Sequence, residues 1–284
     1  MRTSKSDVKY KEIAVQEWQK VAQGWHNRIH VISDWSSLVT IQMLDLAGIT
    51  LGSRVLDIAA GDGDQSIKAA QRVGPDGYVL ATDISSNLLA FAAEVAEEAG
   101  LDNVKTQVMD GENLELEDES FDAVISRFGL MFLPNVGNGM SEIYRVLKPR
   151  GRVAAIVLTT PDKNLWLSIP ARVARKHVQL PPPQAGQPGL FSLGASGVFE
   201  NAFQEAGFRN IEVHKVSIPL RLSSAVECAR LVQDIAGAIH TILSPLNENG
   251  QREAWAEIEH ELQSLEGPNG FESPSEVLVG AGSK

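Results

Sequence analysis

The run Val55-Leu56-Asp57-Ile58-Ala59-Ala60-Gly61-Asp62-Gly63-Asp64 takes an apolar stretch into an acid and then into two glycines separated by one residue. Glycine opens main-chain conformations closed to other residues and leaves room for a ligand against the peptide groups. A helix beginning beyond the turn would add free N–H groups and the positive end of its dipole. Such turns also keep glycine for packing alone, so the pair by itself is ambiguous. Two acids downstream add to it. Asp83 stands twenty positions after Gly63, where a carboxylate can accept both hydroxyl hydrogens of a ribose held at the turn, although an acid there can also merely cap a helix. Asp110 follows in Gln107-Val108-Met109-Asp110-Gly111-Glu112.

The surrounding elements must bring these residues to one edge. Short apolar runs at 55–60, 78–82, 104–109, 123–126 and 153–158 read as strands, and helical stretches at 64–73, 86–99 and 137–147 alternate with them. Ser85 or Ser86 caps the second helix and Gly100 closes it. Such alternation predicts a mainly parallel, doubly wound α/β sheet, whose carboxyl edge, the usual ligand-binding edge, then carries Asp57, Asp83 and Asp110. Upstream, residues 8–46 carry apolar side chains at helical spacing, predicting two or three helices. After Thr160, Pro161, Pro170, Pro181-Pro182-Pro183 and Pro188-Gly189 mark a loop-rich insertion around Leu165, Trp166 and Ile169, read as a cap over one sheet edge. A helix over 196–206, a sixth strand over 211–220, amphipathic helices over 225–243 and 251–265, and a closing strand over 276–279 complete the pattern. The expected organisation is an N-terminal helical lid (1–50), a ligand-binding core (51–160) and a region with the cap insertion, last strands and covering helices (161–284), all in one structural domain.

Bulk properties narrow the function. A net charge of −11 over 284 residues disfavours a nucleic-acid partner. Cys228, the lone cysteine, rules out an internal disulfide, a multi-thiolate metal centre and the cysteine-held iron-sulfur cluster of radical chemistry. The first residues lack the apolar run of a signal peptide and no segment reaches membrane-spanning length. A cytoplasmic protein with no integral membrane segment is expected.

The glycine turn, with Asp83 and Asp110 downstream, resembles the corresponding region of class I S-adenosylmethionine (SAM) dependent methyltransferases. Ser120-Phe121-Asp122-Ala123-Val124-Ile125-Ser126-Arg127-Phe128 is similar to that family's fourth strand. Arg145-Val146-Leu147-Lys148-Pro149-Arg150-Gly151-Arg152 is similar to its turn into the fifth. The likeness covers roughly residues 51–158 and lies nearest the branch of ubiquinone and menaquinone biosynthesis C-methyltransferases. It implies a seven-stranded Rossmann-like sheet with N-terminal helices and a helical cap insertion. It also implies SAM as cofactor, S-adenosylhomocysteine as its product, and a small-molecule acceptor. By the same resemblance Asp57 and the backbone from Ala59 through Gly61 to Gly63 approach the methionine moiety, with Gln65 at that end. Asp83 meets the ribose, Asp110 with Gly111 the adenine, and Ser126, Arg127 and Phe128 the far wall; Ile84, Glu112 and Trp25 are further candidate cofactor contacts. The chain departs from the family at Ala59, where a glycine is common, and at Gly24-Trp25-His26-Asn27, which lacks the Tyr-Asp-Met-Asn pattern of the quinone enzymes.

Methyl transfer is an in-line displacement at a carbon the sulfonium has already activated, so the protein chiefly aligns the nucleophile. A general base helps a hydroxyl or carbon acid. His26 and His30, one helical turn apart, are the candidates, unless both are plain exposed helix histidines. Trp25 reads as a core anchor or as an aromatic lid over the sulfonium. His177, His214, His240 and His260 have no ligand-spaced partner, so no metal site is expected. The apolar cap, with Trp166, Phe191 and the stripe from Cys228 to Ile242, favours an apolar or aromatic acceptor, though such stripes also form plain core. Two other functions stay open. A SAM-binding protein could have a regulatory or non-methylating role. A nicotinamide oxidoreductase would need a third glycine where Ser66 stands. The protein is expected to be a monomer or homodimer.

Overall fold

The computed structural model describes residues 5–184 and 186–284. Its first element is α1, Lys5–Leu46, one helix of 42 residues where two or three were expected. Its sequence contains no proline, and its one glycine, Gly24, is a contact point: a Cβ there would stand 2.1 Å from the carbonyl oxygen of Asp234. The glycine that could have ended the helix instead admits a neighbouring backbone.

From Arg54 the expected alternation holds. The elements are β1 Arg54–Ile58, α2 Asp64–Val73, β2 Tyr78–Asp83, α3 Ser86–Glu98, β3 Val104–Val108, β4 Phe121–Arg127, α4 Val136–Val146 and β5 Leu147–Leu158. Ser85 caps α3 by accepting from the Leu88 N–H, and Gly100 follows the helix at φ +66°. Beyond β5 the proline-marked insertion is more ordered than its composition suggests, because Leu165–His177 forms α5 with Pro170 inside it. Then come α6 Val198–Glu205, β6 Arg209–Ser217, β7 Leu220–Leu222, α7 Ala225–Ile235, α8 Gly237–Leu243, α9 Glu248–Leu262, β8 Glu266–Gly267, β9 Gly270–Ser273 and β10 Glu276–Ser283.

Two of these depart from expectation for tertiary reasons. The stretch 211–220 divides: β6 stays in the main sheet, while β7 crosses to a three-stranded sheet ordered β7-β9-β8. The stretch 225–243 breaks at Ala236, φ −97° and ψ 76°, just before Gly237, whose Cβ would stand 2.9 Å from the Glu17 carbonyl oxygen of α1. Close passage of α1 sets that break.

The main sheet has seven strands in the order β3-β2-β1-β4-β5-β10-β6. The first five are parallel, and β10 runs antiparallel to both its neighbours. Helices α1, α2 and α3 contact one another on this sheet, while α4 and α6 contact each other, giving the two helical layers of a doubly wound fold. Strand order reverses between β1 and β4, which opens a crevice at their carboxyl ends.

Among the described residues there are two large apolar clusters and a small third one of Ala60, Ala81 and Leu89. One large cluster unites the sheet with Val39, Met43 and Leu44 of α1. The other unites α5, α7, α8, α9 and the small sheet with Ile32 of α1. Trp35 touches both and donates its indole N–H to the Ile218 carbonyl at 2.7 Å.

Candidate functional site

Three parallel strands deliver acids to one edge, as their spacing predicts. Asp57 of β1 is fully buried and accepts from Ser66 Oγ at 2.5 Å and Gln65 Nε2 at 3.3 Å. Burial pushes its pKa up to about 7 against those hydrogen bonds. Asp83 ends β2. Its Oδ2 accepts from the Gly61 N–H and its Oδ1 from the Ser85 N–H, both at 2.9 Å, and burial raises its pKa while these bonds and the Ile84 N–H oppose the rise. The acid thus ties the glycine turn to the start of α3, and each oxygen keeps a second lone pair. Asp110, beyond β3, accepts the Glu112 N–H at 2.9 Å on Oδ1.

The turn after β1 is left-handed at Ala59 (φ +56°), Gly61 (φ +60°) and Gly63 (φ +88°). A Cβ on Gly63 would lie 2.8 Å from that of Ala92, so this glycine serves the packing of α2 on α3. Ala59, where the resembling family often has glycine, accepts a left-handed conformation that costs an L residue about 1–2 kcal/mol. Phe128, after β4, is left-handed too at φ +61°. Two strained residues flanking the crevice mark it as a place where main-chain geometry is held by its surroundings. Gly111 also stands close to this edge, with its Cβ position 3.0 Å from Ile58 Cγ2.

The N-terminal half of α1 crosses the whole edge. Lys11 Nζ donates to Asp110 Oδ2 at 2.6 Å and to Glu112 Oε2 at 2.7 Å. Gln19 reaches Ser86 and Asn87 at the start of α3. Trp25 sets its indole nitrogen 3.8 Å from the Cβ position of Gly61. His26 stacks on Phe91 at 4.2 Å and 6°, with Nδ1 3.7 Å from Asp62 Oδ2. Farther along, Ser36 and Thr40 accept from Arg127 at 3.0 and 3.1 Å, and Asp64 pairs with the same guanidinium at 2.6 Å.

The sequence-predicted residues therefore fall into three groups. Asp57, Ala59, Gly61, Asp83, Ile84, Asp110, Gly111 and Ser126 share the edge, together with Trp25 and His26 from α1. Gln65, Glu112 and Arg127 are nearby, but their polar atoms are already engaged. Gln65 holds Asp57 and the Ala60 carbonyl, Glu112 takes the Asn135 N–H and Lys11, and Arg127 fastens α1 to α2 instead of forming a far wall. His30 is exposed and has no hydrogen-bond, ion-pair or ring partner among the described residues, which leaves His26 as the histidine at the turn. Cys228 and Trp166 lie fully inside the second cluster, so that apolar stripe is core rather than an exposed lining. Sequence reading missed Lys11 and Asp62. Lys11 meets its partners 99 and 101 positions away, for which no local pattern exists.

Polar atoms left over at this edge test what it could hold. Among the described residues five buried side-chain polar atoms lack a protein partner, and three, His26 Nδ1, Asp62 Oδ2 and Ser126 Oγ, belong to this edge. Buried polar groups are nearly always paired, so the cluster fits a polar ligand threaded between α1 and the turn. A cleft of about 770 Å³ opens beside Asp110 and Glu112, lined also by Val8, Lys11 and Val15. A half-buried aromatic row follows α1 across the crevice: Trp18 meets Trp25 at 5.8 Å and Phe132 at 5.4 Å, and Trp35 stacks on Phe128 at 5.3 Å.

Comparison with known proteins agrees with this layout. A family model described as a methyltransferase domain matches residues 55–151. A ubiquinone/menaquinone biosynthesis C-methyltransferase of Marinomonas is 31% identical over 170 residues, covering 56% of this chain and 68% of the relative. A demethylmenaquinone methyltransferase of Listeria welshimeri is 36% identical over 128 residues, 45% of this chain and 54% of the relative, so the chain spans about half of that relative's length. Among solved structures, a phosphoethanolamine N-methyltransferase of Haemonchus contortus in complex with S-adenosyl-L-methionine superposes with a TM-score of 0.53 at 22% identity, over 86% of this chain and 52% of that one. That last likeness concerns the fold. Among the described residues no helix is long and apolar enough to cross a membrane.

Proposed function

Because the chain belongs to the class I SAM-dependent methyltransferases, in the branch of the ubiquinone and menaquinone biosynthesis C-methyltransferases, we propose that it transfers a methyl group from SAM to a small aromatic acceptor. The observation that carries this reading is the set of acids at the carboxyl ends of β1, β2 and β3 around the glycine turn, at the point where strand order reverses. In this assignment the second lone pairs of Asp83 receive the ribose hydroxyls, the turn from Ala59 to Gly63 with Asp57 receives the methionine moiety, and Asp110 with Gly111 receives the adenine. SAM brings the activated methyl group, while the chain binds, orients and excludes water. Residues 1–50 act as the lid, since α1 spans every one of these subsites. The aromatic row from Trp18 to Trp35 supports a flat acceptor, and the acidic surface argues against a nucleic-acid one.

Calorimetric titration with SAM and with S-adenosylhomocysteine tests the reading. Native protein is expected to bind both. Asp83→Asn, whose single amide oxygen can keep only one of the Gly61 and Ser85 contacts, is expected to weaken binding by at least about 2–3 kcal/mol, the scale of hydrogen bonds to a charged acceptor. No binding of either ligand to the native protein would end the methyltransferase reading.

A further inference from the structure

We propose that His26 is the general base of the transfer, oriented by Asp62, and that the acceptor therefore presents a proton-bearing nucleophile, a phenol or enol hydroxyl or an activated carbon acid. The inference rests on the methyl-transfer reading and deepens it. His26 Nδ1 and Asp62 Oδ2 face each other at 3.7 Å, and both atoms are buried without another hydrogen-bond partner in the protein. That separation is too long for a hydrogen bond, and an approach of about 1 Å makes one, the kind of tightening that catalytic contacts undergo when the site fills. The imidazole is fixed in its plane by the Phe91 stack. With Nδ1 buried against Asp62 and the side chain 28% exposed, Nε2 lies on the accessible side, and it has no protein partner among the described residues.

The place is right for such a base. Asp62 sits between the two glycines of the turn assigned to the methionine moiety, and Trp25, one residue before His26, lies against Gly61. The charged groups acting on Asp62 are Arg127, whose charge Asp64 matches at 2.6 Å, and Asp64 itself. Phe91 from α3 packs on His26, and the Trp25 indole N–H from α1 donates to the Asp62 carboxyl. Asp62 is thus a carboxylate without a committed cation, 2% exposed, and an imidazolium forming beside it completes a pair.

In the step, Nε2 takes the proton of the acceptor O–H or C–H. The electron pair left behind forms the bond to the methyl carbon, and the carbon–sulfur bond breaks with its pair going to sulfur, so that the sulfonium becomes a neutral thioether. The imidazolium, stabilised by Asp62, returns its proton to solvent. A base so placed contributes about 10²–10⁴-fold in rate.

Nitrogen-15 NMR of the labelled protein saturated with S-adenosylhomocysteine tests the pair in the filled site. His26 signals, assigned by their loss in His26→Gln, are expected to show the neutral ring as the Nδ1–H tautomer, with that preference lost in Asp62→Asn. An Nε2–H tautomer in the native protein, or no response to Asp62→Asn, would overturn the proposal. With SAM and a panel of phenols, catechols and hydroquinones, His26→Gln is expected to lower kcat at least about 100-fold while its calorimetric affinity for S-adenosylhomocysteine stays native. Undiminished turnover in His26→Gln, or native turnover confined to tertiary amines and thioethers, would also overturn it. Failure of the native protein to bind S-adenosylhomocysteine would instead strike the methyl-transfer reading on which this inference rests.

Discussion

Replacing Lys11 by methionine should make the protein less stable and its cofactor site tighter. Lys11 holds Asp110 at 2.6 Å and Glu112 at 2.7 Å, and its own burial, which works against the charge, is outweighed by these bonds, so its pKa is raised. The Glu112 side chain is 3% exposed. Without Lys11 it keeps only the Asn135 N–H, a loss of about 1–3 kcal/mol. The Asp110 arm, 34% exposed, is screened by solvent and contributes at most about 1 kcal/mol. The ligand-free variant should therefore lose about 2 kcal/mol, visible as a Tm lower by roughly 4 °C. A ligand that bonds to Asp110 has to displace the ammonium, so native binding carries a cost of about 1–2 kcal/mol that methionine removes. The Kd for S-adenosylhomocysteine should fall about 5- to 30-fold. Thermal melts without ligand and calorimetry with it separate the two effects. A Kd that rises along with the lost stability would mean that Lys11 supports the ligand instead of competing with it, and would refute the reasoning.

Three further outcomes follow from named contacts. Burial raises Asp57 and Asp62 to about 7, whereas an unfolded Asp titrates near about 3.9. Between those values the native state binds more protons, so stability falls as pH rises through the window and levels above it, by on the order of 4 kcal/mol for each carboxylate over the whole window, of which roughly half lies between about pH 5 and 7.5. Asp64, Asp122 and Glu142 are lowered and act oppositely at more acid pH. Melts at about pH 5 and 7.5 should show the drop, and an equal drop in Asp62→Asn would remove Asp62 from the account. Arg127→Met should cost about 3 kcal/mol in urea unfolding, because Asp64 then keeps only Lys68 and Ser33 while Ser36 and Thr40 lose their donor. A loss under about 1 kcal/mol would show the tie to be idle. Gly24→Ala, which helix propensity alone would favour by about 1 kcal/mol, should instead destabilise by about 1–3 kcal/mol, since its Cβ meets the Asp234 carbonyl. A more stable variant would mean that α1 and α7 separate at no cost.

The alternating part of the fold was legible because each element carries its own signal. The helix Asp64–Val73 falls on its expected residues, and the expected strands over 78–82 and 104–109 agree with β2 and β3 to within one residue. The acids follow, since a parallel sheet sends the carboxyl ends of its strands to one edge whatever else the chain does. Where a contact with a distant segment decides the outcome, local pattern fails. The stretch 8–46 reads as two or three helices and forms one, in which Gly24 is a docking point for Asp234; the stretch 225–243 resembles one helix and breaks where α1 passes Gly237, and the strand expected over 211–220 divides between two sheets.

Sequence by itself determined the strand–turn–helix core, the glycine turn and the acids Asp57, Asp83 and Asp110, because short-range periodicity and turn chemistry act over a few residues. Only the tertiary structure decided that one unbroken helix lies across that edge, that Lys11 bridges Asp110 and Glu112, that Arg127 serves as an anchor, and that His26 faces Asp62 while His30 faces solvent. Those pairings join residues from tens of positions to about a hundred positions apart. Their energies come from burial and from electrostatics at low dielectric, which exist only once the layers have closed.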